Sequence, residues 1–199
     1  MSRMHAKRLA LLITAGCIAG GCAFLRQVAA LRQVEFAIDR VSSARLAGVA
    51  IDRIRNYQDL SALDIARIGS ALVAGNVPMD FELHLSALNP ADNSVPARLL
   101  QMEWTLLLED RETVSGRLDR EFVFEPGVST DLPIFIGLYL ADFFQSNARD
   151  LIELALAVSG AGGAPKRIAL RATPTIQTSI GPIRYPQPIT IASKQVGGQ

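Results

Sequence analysis

His84 is the residue around which an acid–base or metal site of this chain would have to form. The sequence contains two histidines, and the other, His5, lies in an N-terminal stretch with the pattern of a removed leader. Glu82 and Ser86 flank His84 at two-residue spacing, which places all three side chains on one face of a strand. An imidazole between a carboxylate and a hydroxyl can transfer protons. The same pattern is typical of a solvated strand face, and we predict that His84 is exposed and has no functional role.

The sequence lacks the motifs that accompany common catalytic and cofactor sites. A Ser-His-acid triad would need His84 as its base, but there is no G-x-S-x-G nucleophile elbow. Gly162 and Gly163 lack the Lys-Ser/Thr step of a phosphate-binding loop, and a zinc site would need further histidine or cysteine ligands. The charged residues 109–112 are typical of a solvated turn. We therefore predict that the protein is not an enzyme and binds neither a cofactor nor a metal.

The charge balance excludes one class of partner. The formal net charge is +1, with basic and acidic residues dispersed along the chain. Nucleic-acid binding usually requires a strongly basic surface that neutralises phosphates. We therefore predict no nucleic-acid partner.

The two cysteines, Cys17 and Cys22, indicate an exported, lipid-anchored protein. Residues 1–8 carry three basic side chains, an apolar run follows, and small residues precede each cysteine. This is the layout of a secretory signal peptide, and it resembles the lipobox of bacterial lipoproteins, in which the cysteine is acylated. We predict lipidation at Cys22, because cleavage there leaves an apolar region of about eleven residues, within the usual range. Cys17 is the alternative site.

Two further points concern the membrane. An uncleaved anchor over residues 9–25 is an alternative, since about seventeen residues are the lower limit for spanning a bilayer core of about 30 Å. Ala23 follows Cys22 where an aspartate would retain a lipoprotein in the inner membrane. By resemblance to the sorting signal of Gram-negative lipoproteins, we predict a cell-envelope location in the outer membrane, facing the periplasm.

The elements that must position the polar residues are organised around one strand. Residues 78–90 alternate between apolar and polar side chains until Asn89-Pro90, which predicts a half-buried strand that ends at the proline. Residues 98–120 alternate in two runs on either side of a polar turn, which predicts a hairpin. The inward face of its first run would carry Leu100, Met102, Trp104, Leu106 and Leu108.

Shorter alternating stretches predict strands within residues 34–54, 128–136, 167–178 and 183–191. Helical spacing at residues 59–75 and the apolar segment 137–160 predict two helices, and Pro133 places its strand at a sheet edge or on a bulge. Together these elements predict a mainly β protein, an antiparallel β-sandwich with two inserted helices. The predicted organisation is a signal peptide (1–21), a tether (22–33), the sandwich (34–192) and a disordered tail (193–199).

The order of these strands and turns resembles the late embryogenesis abundant (LEA) type-2 family, also called the WHy domain. The resemblance is carried by Asn89-Pro90 at the end of the central strand, by the Leu132-Pro133 step and by Gly181 in a late turn. It departs from the family pattern after Pro90, where the second asparagine is missing, and in the first helix, which is an insertion. The resemblance implies an immunoglobulin-like or fibronectin-III-like sandwich, structural roles for these residues, and no catalytic residue.

Two functions are compatible with these predictions. The first is a lipid-anchored, non-catalytic domain that protects or binds other molecules during desiccation and water stress, as the family resemblance implies. The alternative is an accessory lipoprotein in envelope assembly or in trafficking of lipids and other apolar ligands. A deep, ligand-sized cavity would favour the alternative, and a filled core with a polar surface would favour the first.

One stretch is predicted to meet a partner. Residues 135–144, from Phe135 to Phe144, are more apolar than one buried face requires, which predicts an exposed surface for a protein or lipid partner. The alternative for this stretch is a helix that is buried on both sides.

Overall fold

The computed structural model describes residues 33–52, 54–55, 57–93, 95–140, 148–159 and 165–196. The predicted signal peptide, Cys17, Cys22 and nearly all of the predicted tether lie outside the described residues, as do Phe143 and Phe144. No helix in the described part of the chain is long and apolar enough to cross a membrane. The elements in chain order are β1 (Glu35–Leu46), β2 (Val49–Ala50), α1 (Ala62–Val73), β3 (Pro78–Leu88), β4 (Ala97–Leu108), β5 (Arg111–Leu118), β6 (Phe122–Phe124), β7 (Ser129–Tyr139), α2 (Ala148–Ser159), β8 (Lys166–Thr178), β9 (Gly181–Arg184) and β10 (Ile189–Val196).

The first sheet has four antiparallel strands in the order β2-β1-β3-β7. The alternation predicted for β3 is confirmed, because Met79, Phe81 and Leu83 are at most 1% exposed. Strand β1 is a single long strand with bulges after Ile38 and Ser42, and these bulges explain why the alternation of its side chains is interrupted. β7 lies at the sheet edge, as Pro133 predicts, since proline has no N–H to donate to a further strand.

The second sheet has six strands, with β10-β8-β4-β5 as its path, β6 paired to β4 and β9 paired to β8. The predicted hairpin is confirmed as β4 and β5. Trp104 is buried at 6% exposure, as alternation predicts. The prediction for Leu100 is wrong: a bulge between Leu99 and Gln101 shifts the alternation by one residue, so that Leu99 is buried in its place.

The two helices are only partly where the sequence predicts them. α1 begins after Ser61, whose hydroxyl accepts a hydrogen bond from the Asp64 N–H while the Asp64 side chain accepts from the Ser61 N–H, which is a capping box. The prediction that the second helix starts at residue 137 is wrong. Residues 137–139 belong to β7 because their backbone pairs with the first residues of β3, and the described helix is α2.

The predicted tail is also wrong in part. Residues 193–196 continue β10 and pair with residues 166–169 of β8, so the described chain stays in the sheet beyond residue 192. Backbone pairing with β8 and burial of Val196 in the core both order this stretch. Residues 197–199 lie outside the described part of the chain.

Both sheets contribute their inward faces to one hydrophobic core, together with residues of both helices. The first sheet supplies residues such as Phe81 and Leu132, and the second supplies residues such as Leu106 and Phe124, all fully buried. The prediction of a mainly β, antiparallel sandwich with two helices is therefore confirmed.

Candidate functional site

A cavity of about 540 Å³ lies between the start of β1 and the segment that leads into β10. On the side of the first sheet, the cavity is lined by Val34 and Phe36. The second sheet contributes the remaining lining residues, from β4, β8, β10 and the loop before β10: Leu99, Met102, Pro174, Tyr185, Pro186, Gln187, Ile189, Thr190 and Ile191. We call this space the inter-sheet cavity.

The wall of the inter-sheet cavity formed by the second sheet follows from the local sequence. The segment Tyr185-Pro186-Gln187-Pro188 separates β9 from β10, because its two prolines lack N–H donors and have a fixed φ. Its first residue is held in place by the Tyr185 N–H, which donates to the Pro174 carbonyl at 3.0 Å. Residues 185–188 thus lie against strand β8 without continuous backbone pairing. The cavity lies beside this segment.

The opposite wall is supported by aromatic packing. The Phe36 ring meets the fully buried Phe124 ring edge to face, with 5.9 Å between centroids. This geometry is a favourable one for two aromatic side chains. The wall is therefore formed by β1 and backed by the core of the sandwich.

The chemistry of the inter-sheet cavity suits an apolar ligand. Its lining is chiefly aliphatic, aromatic and proline side chains, with Gln187 and Thr190 as exposed polar residues. Ligand cavities commonly have volumes of about 300–1,000 Å³ and a few polar groups. The lining contains no acidic or basic side chain, so recognition would depend on apolar contacts.

One buried polar atom lies in the wall of the cavity. The Tyr185 hydroxyl is sealed from solvent and has no hydrogen-bond partner among the described residues. A buried polar group without a partner costs about 1–3 kcal/mol. Because the hydroxyl is sealed, it offers a ligand no accessible polar anchor.

A second, more open concavity of about 850 Å³ lies on the second sheet, beside the same tyrosine. Its charged residues are already paired: Arg171 donates to Glu112 at 2.6 Å, and Arg184 donates to Glu103. Charges that neutralise each other offer little attraction to an ionic ligand. The inter-sheet cavity is therefore the better candidate for a binding site.

His84 is buried, at 8% exposure, and the prediction that it is exposed is wrong. Alternation does place it on the outer face of β3, but side chains from both neighbouring strands cover it. Its Nδ1 lies 2.9 Å from Asp131 Oδ2 in β7, and its Nε2 lies 2.9 Å from Ser42 Oγ in β1. Arg40 Nη2 lies 3.0 Å from Nδ1 and donates to Asp131 at 3.2 Å.

The flanking residues expected beside His84 divide between two environments. Glu82 Oε2 lies 3.6 Å from His84 Nε2, whereas the Ser86 hydroxyl pairs with Ser129 at 2.8 Å. Ser42 and Asp131 could not be found from sequence, because each is more than 40 residues away and only the strand register brings it to His84.

The surroundings of His84 also change the pKa of the Asp131 carboxyl. Partial burial would raise the pKa of its carboxyl, but the hydrogen bond from His84, together with the charges of His84 and Arg40, outweighs burial and lowers the pKa. The ionised carboxylate is therefore the favoured form. No group of three or more His, Cys, Asp or Glu side chains among the described residues is placed to hold a metal ion.

The residues that carry the family resemblance lie at structural positions. Asn89 is fully buried, and its side-chain amide donates to the Phe124 carbonyl at 2.7 Å while its oxygen accepts from Asn93 at 2.7 Å. Asn89 thus fastens the end of β3 to β6, and Pro90 follows it outside the strand.

The other residues that carry the family resemblance lie in β7 and at the start of β9. Leu132 is fully buried in the core, and Pro133 is opposite His84 in the pairing of β7 with β3. Gly181 has a φ of +117°, a conformation that residues with a Cβ rarely adopt.

Within the apolar stretch at residues 135–144, residues 135–139 belong to strand β7 and not to a helix. Phe135 and Tyr139 point outward, at 70% and 61% exposure, whereas Ile136 and Leu138 alternate into the core. Residues 141–147 lie outside the described part of the chain. The exposed surface at the start of this stretch is therefore two aromatic side chains on an edge strand, and its partner stays a prediction.

Comparisons with known proteins give no family assignment. No protein-family model matches the chain, and no curated protein matches it. Similar solved structures include a protein from Archaeoglobus fulgidus, with 11% identity, a TM-score of 0.34, and coverage of 61% of this chain and 86% of that chain. They also include a candidate LEA protein, with 14% identity, a TM-score of 0.39, and coverage of 96% and 87%.

A third similar structure is that of a protein from Arabidopsis thaliana, with 16% identity, a TM-score of 0.38, and coverage of 60% of this chain and 70% of that chain. One of the three neighbours is thus named as a late embryogenesis abundant protein. Likeness at these identities and scores carries no argument about function, so membership of the LEA type-2 family stays a prediction. The function is argued below from the residues of this chain.

Proposed function

We propose that this domain binds an apolar ligand, such as the acyl chain of a lipid, in the inter-sheet cavity while an N-terminal lipid at Cys22 holds it at a membrane. The observation that carries this proposal is the cavity itself. It has the volume of a ligand site and a lining without charged side chains.

The position of the cavity relative to the N-terminus supports the same function. Val34 lines the cavity and directly follows the predicted tether. A lipid anchor about a dozen residues earlier would keep the cavity within a few tens of ångströms of the bilayer, since an extended chain spans at most about 3.3–3.6 Å per residue. Lipid could then pass between the membrane and the cavity over a short distance. Such a domain would serve envelope assembly or lipid trafficking.

The binding proposal is tested by blocking the cavity. Ile189 lines it and is 43% exposed, so Ile189→Trp adds bulk at the rim without overfilling the core. We expect the Kd for a fluorescent fatty acid to rise about tenfold or more, which is about 1.4 kcal/mol or more. Ile180→Trp is the matched control, because Ile180 is also exposed but does not line the cavity. Equal binding by both variants and the wild type would contradict the proposal.

The anchoring proposal is tested by intact-mass analysis of the protein extracted from membranes. We expect a chain that begins at Cys22 and carries acyl groups, and we expect Cys22→Ser to abolish acylation. Acylation that persists in Cys22→Ser would assign the lipid to Cys17. An uncleaved chain without acyl groups would support a membrane anchor over residues 9–25.

The sequence resemblance supports a second function, protection during water loss. A deletion strain distinguishes the two. Death on drying with an intact permeability barrier favours protection, whereas a detergent-sensitive envelope with normal survival favours lipid handling. Expression of Ile189→Trp in the deletion strain separates the two functions further. It should restore a protective role that does not use the inter-sheet cavity, and it should not restore lipid handling.

A further inference from the structure

Three side chains on the outer face of the first sheet form a continuous hydrogen-bonded chain. Asp131 Oδ2 lies 2.9 Å from His84 Nδ1, and His84 Nε2 lies 2.9 Å from Ser42 Oγ. The register explains the order. Ser42 is opposite Glu82 and Asp131 is opposite Ser86, so they approach His84 diagonally from its two sides.

Which ring nitrogen of His84 carries the proton decides whether His84 can activate Ser42. With Asp131 as acceptor, the ring proton is on Nδ1, and the lone pair of Nε2 accepts the Ser42 hydroxyl proton. This is the tautomer that makes a histidine a general base for a serine. In the other tautomer Arg40 donates to Nδ1 and Nε2 donates to Ser42, which leaves the serine inactive. Both carboxylate oxygens of Asp131 lie within 3.0 Å of Nδ1, and this geometry favours the first tautomer.

The backbone beside Ser42 is strained. Ser43 has a φ of +56° within the bulge between Ser42 and Arg45. Residues other than glycine seldom adopt this conformation, and such strain concentrates at functional sites. Bulges also redirect a side chain out of the regular pattern of the strand. Here the bulge begins at Ser42, whose hydroxyl lies 2.9 Å from His84 Nε2.

Contrary to the prediction from sequence that the protein is not an enzyme, we propose that Ser42, with His84 as its base, is the nucleophile of an ester-hydrolysing site on the first sheet. This activity is separate from ligand binding in the inter-sheet cavity. Ser42 Oγ would form a bond to the ester carbonyl carbon as its proton passes to His84 Nε2. The bond to the alcohol oxygen then breaks, and that oxygen takes the proton from His84. Water attacks the acyl group, gives a proton to His84, and releases the acid as Ser42 regains its proton.

The surroundings indicate the class of ester. Glu82 Oε2 lies 3.5 Å from Ser42 Oγ, so its negative charge opposes an anionic substrate. The exposed ring of Phe135 is opposite Glu82 on the neighbouring strand and offers an apolar surface. The substrate is therefore a neutral ester with an apolar acyl or aryl group. Glu82 would also oppose the negative charge that develops during attack, so Glu82→Gln should increase the rate.

The test uses the full chain in detergent and a fluorophosphonate probe, which phosphonylates an activated serine and releases fluoride. We expect wild type to gain the mass of one phosphonyl group at Ser42, and Ser42→Ala to gain none. Ser86→Ala is the matched control, because Ser86 lies on the same face but pairs with Ser129. Its labelling should equal that of wild type. Circular dichroism establishes that each variant is folded.

Hydrolysis of p-nitrophenyl butyrate gives the second measurement. We expect His84→Gln to lower the rate roughly 10²-fold or more and Glu82→Gln to raise it. Asp131 acts through His84 as a positioning residue, so Asp131→Asn should lower the rate and displace its pH profile. Absence of labelling in the wild type, or equal labelling of wild type and Ser42→Ala, would overturn the proposal. A rate unchanged in His84→Gln would overturn it as well.

Discussion

Replacing Gly116 with alanine should destabilise the protein because of one contact in the hairpin. Gly116 in β5 is opposite Trp104 in β4. A Cβ added at Gly116 would lie 2.8 Å from Cε2 and 2.9 Å from Cη2 of the Trp104 ring. Trp104 is 6% exposed and packs in the core, so the ring cannot turn away without displacing its neighbours. The absence of a side chain at position 116 makes room for the tryptophan.

The magnitude follows from two opposing effects. Overpacking of a core costs typically about 1–3 kcal/mol, whereas alanine in a strand is favoured over glycine by about 0.5–1 kcal/mol. We therefore expect Gly116→Ala to lower the free energy of unfolding by about 1–2 kcal/mol. In a Trp104→Leu background the clash is absent, and the same substitution should be neutral or stabilising. The coupling energy between the two positions should then be about 1–3 kcal/mol.

The assay is urea unfolding of the four chains of this double-mutant cycle, followed by circular dichroism. Trp104 is the only tryptophan of the sequence, so a red shift of its emission in Gly116→Ala would also report its displacement. Gly69→Ala in α1 is the control, because its Cβ would meet nothing within 4 Å. It should stabilise the protein by up to about 1 kcal/mol. An equal cost of Gly116→Ala with and without Trp104 would refute the packing argument.

Three further predictions concern other residues. Tyr185→Phe removes a buried hydroxyl that has no partner among the described residues, so the free energy of unfolding in urea should stay equal or rise, by up to about 1–3 kcal/mol; a clear loss would reveal a partner. Asn89→Ala leaves the Phe124 carbonyl and the Asn93 amide without their partner, and should cost about 1–3 kcal/mol in the same assay; a neutral result would contradict the structural role of Asn89. Because the pKa of Asp131 is lowered in the folded state, its stabilising contribution is present above the unfolded pKa of about 3.9 and is lost as the pH falls through the folded pKa. The stability advantage of wild type over Asp131→Asn should therefore shrink below about pH 4, and a difference independent of pH would contradict the interaction.

The alternation of side chains in β3 is a local property, and for that reason the sequence alone predicts it. Period two separates Phe81 from Glu82 on opposite faces whatever the strand pairs with. The same reasoning correctly predicts that Trp104 faces the core and that Pro133 lies at an edge. Capping of α1 is local as well, since Ser61 and Asp64 are three residues apart.

Pairing between distant strands decided the features that the sequence did not predict. The bulge that exposes part of Leu100 depends on the register of β4 against β8, and the apolar residues 137–139 become strand because β3 pairs with them. Burial of His84 likewise depends on Ser42 and Asp131, which arrive from two other strands. The inter-sheet cavity requires both sheets and the loop before β10. Each of these is a property of long-range packing, in which one residue's environment is composed of side chains far away in the sequence.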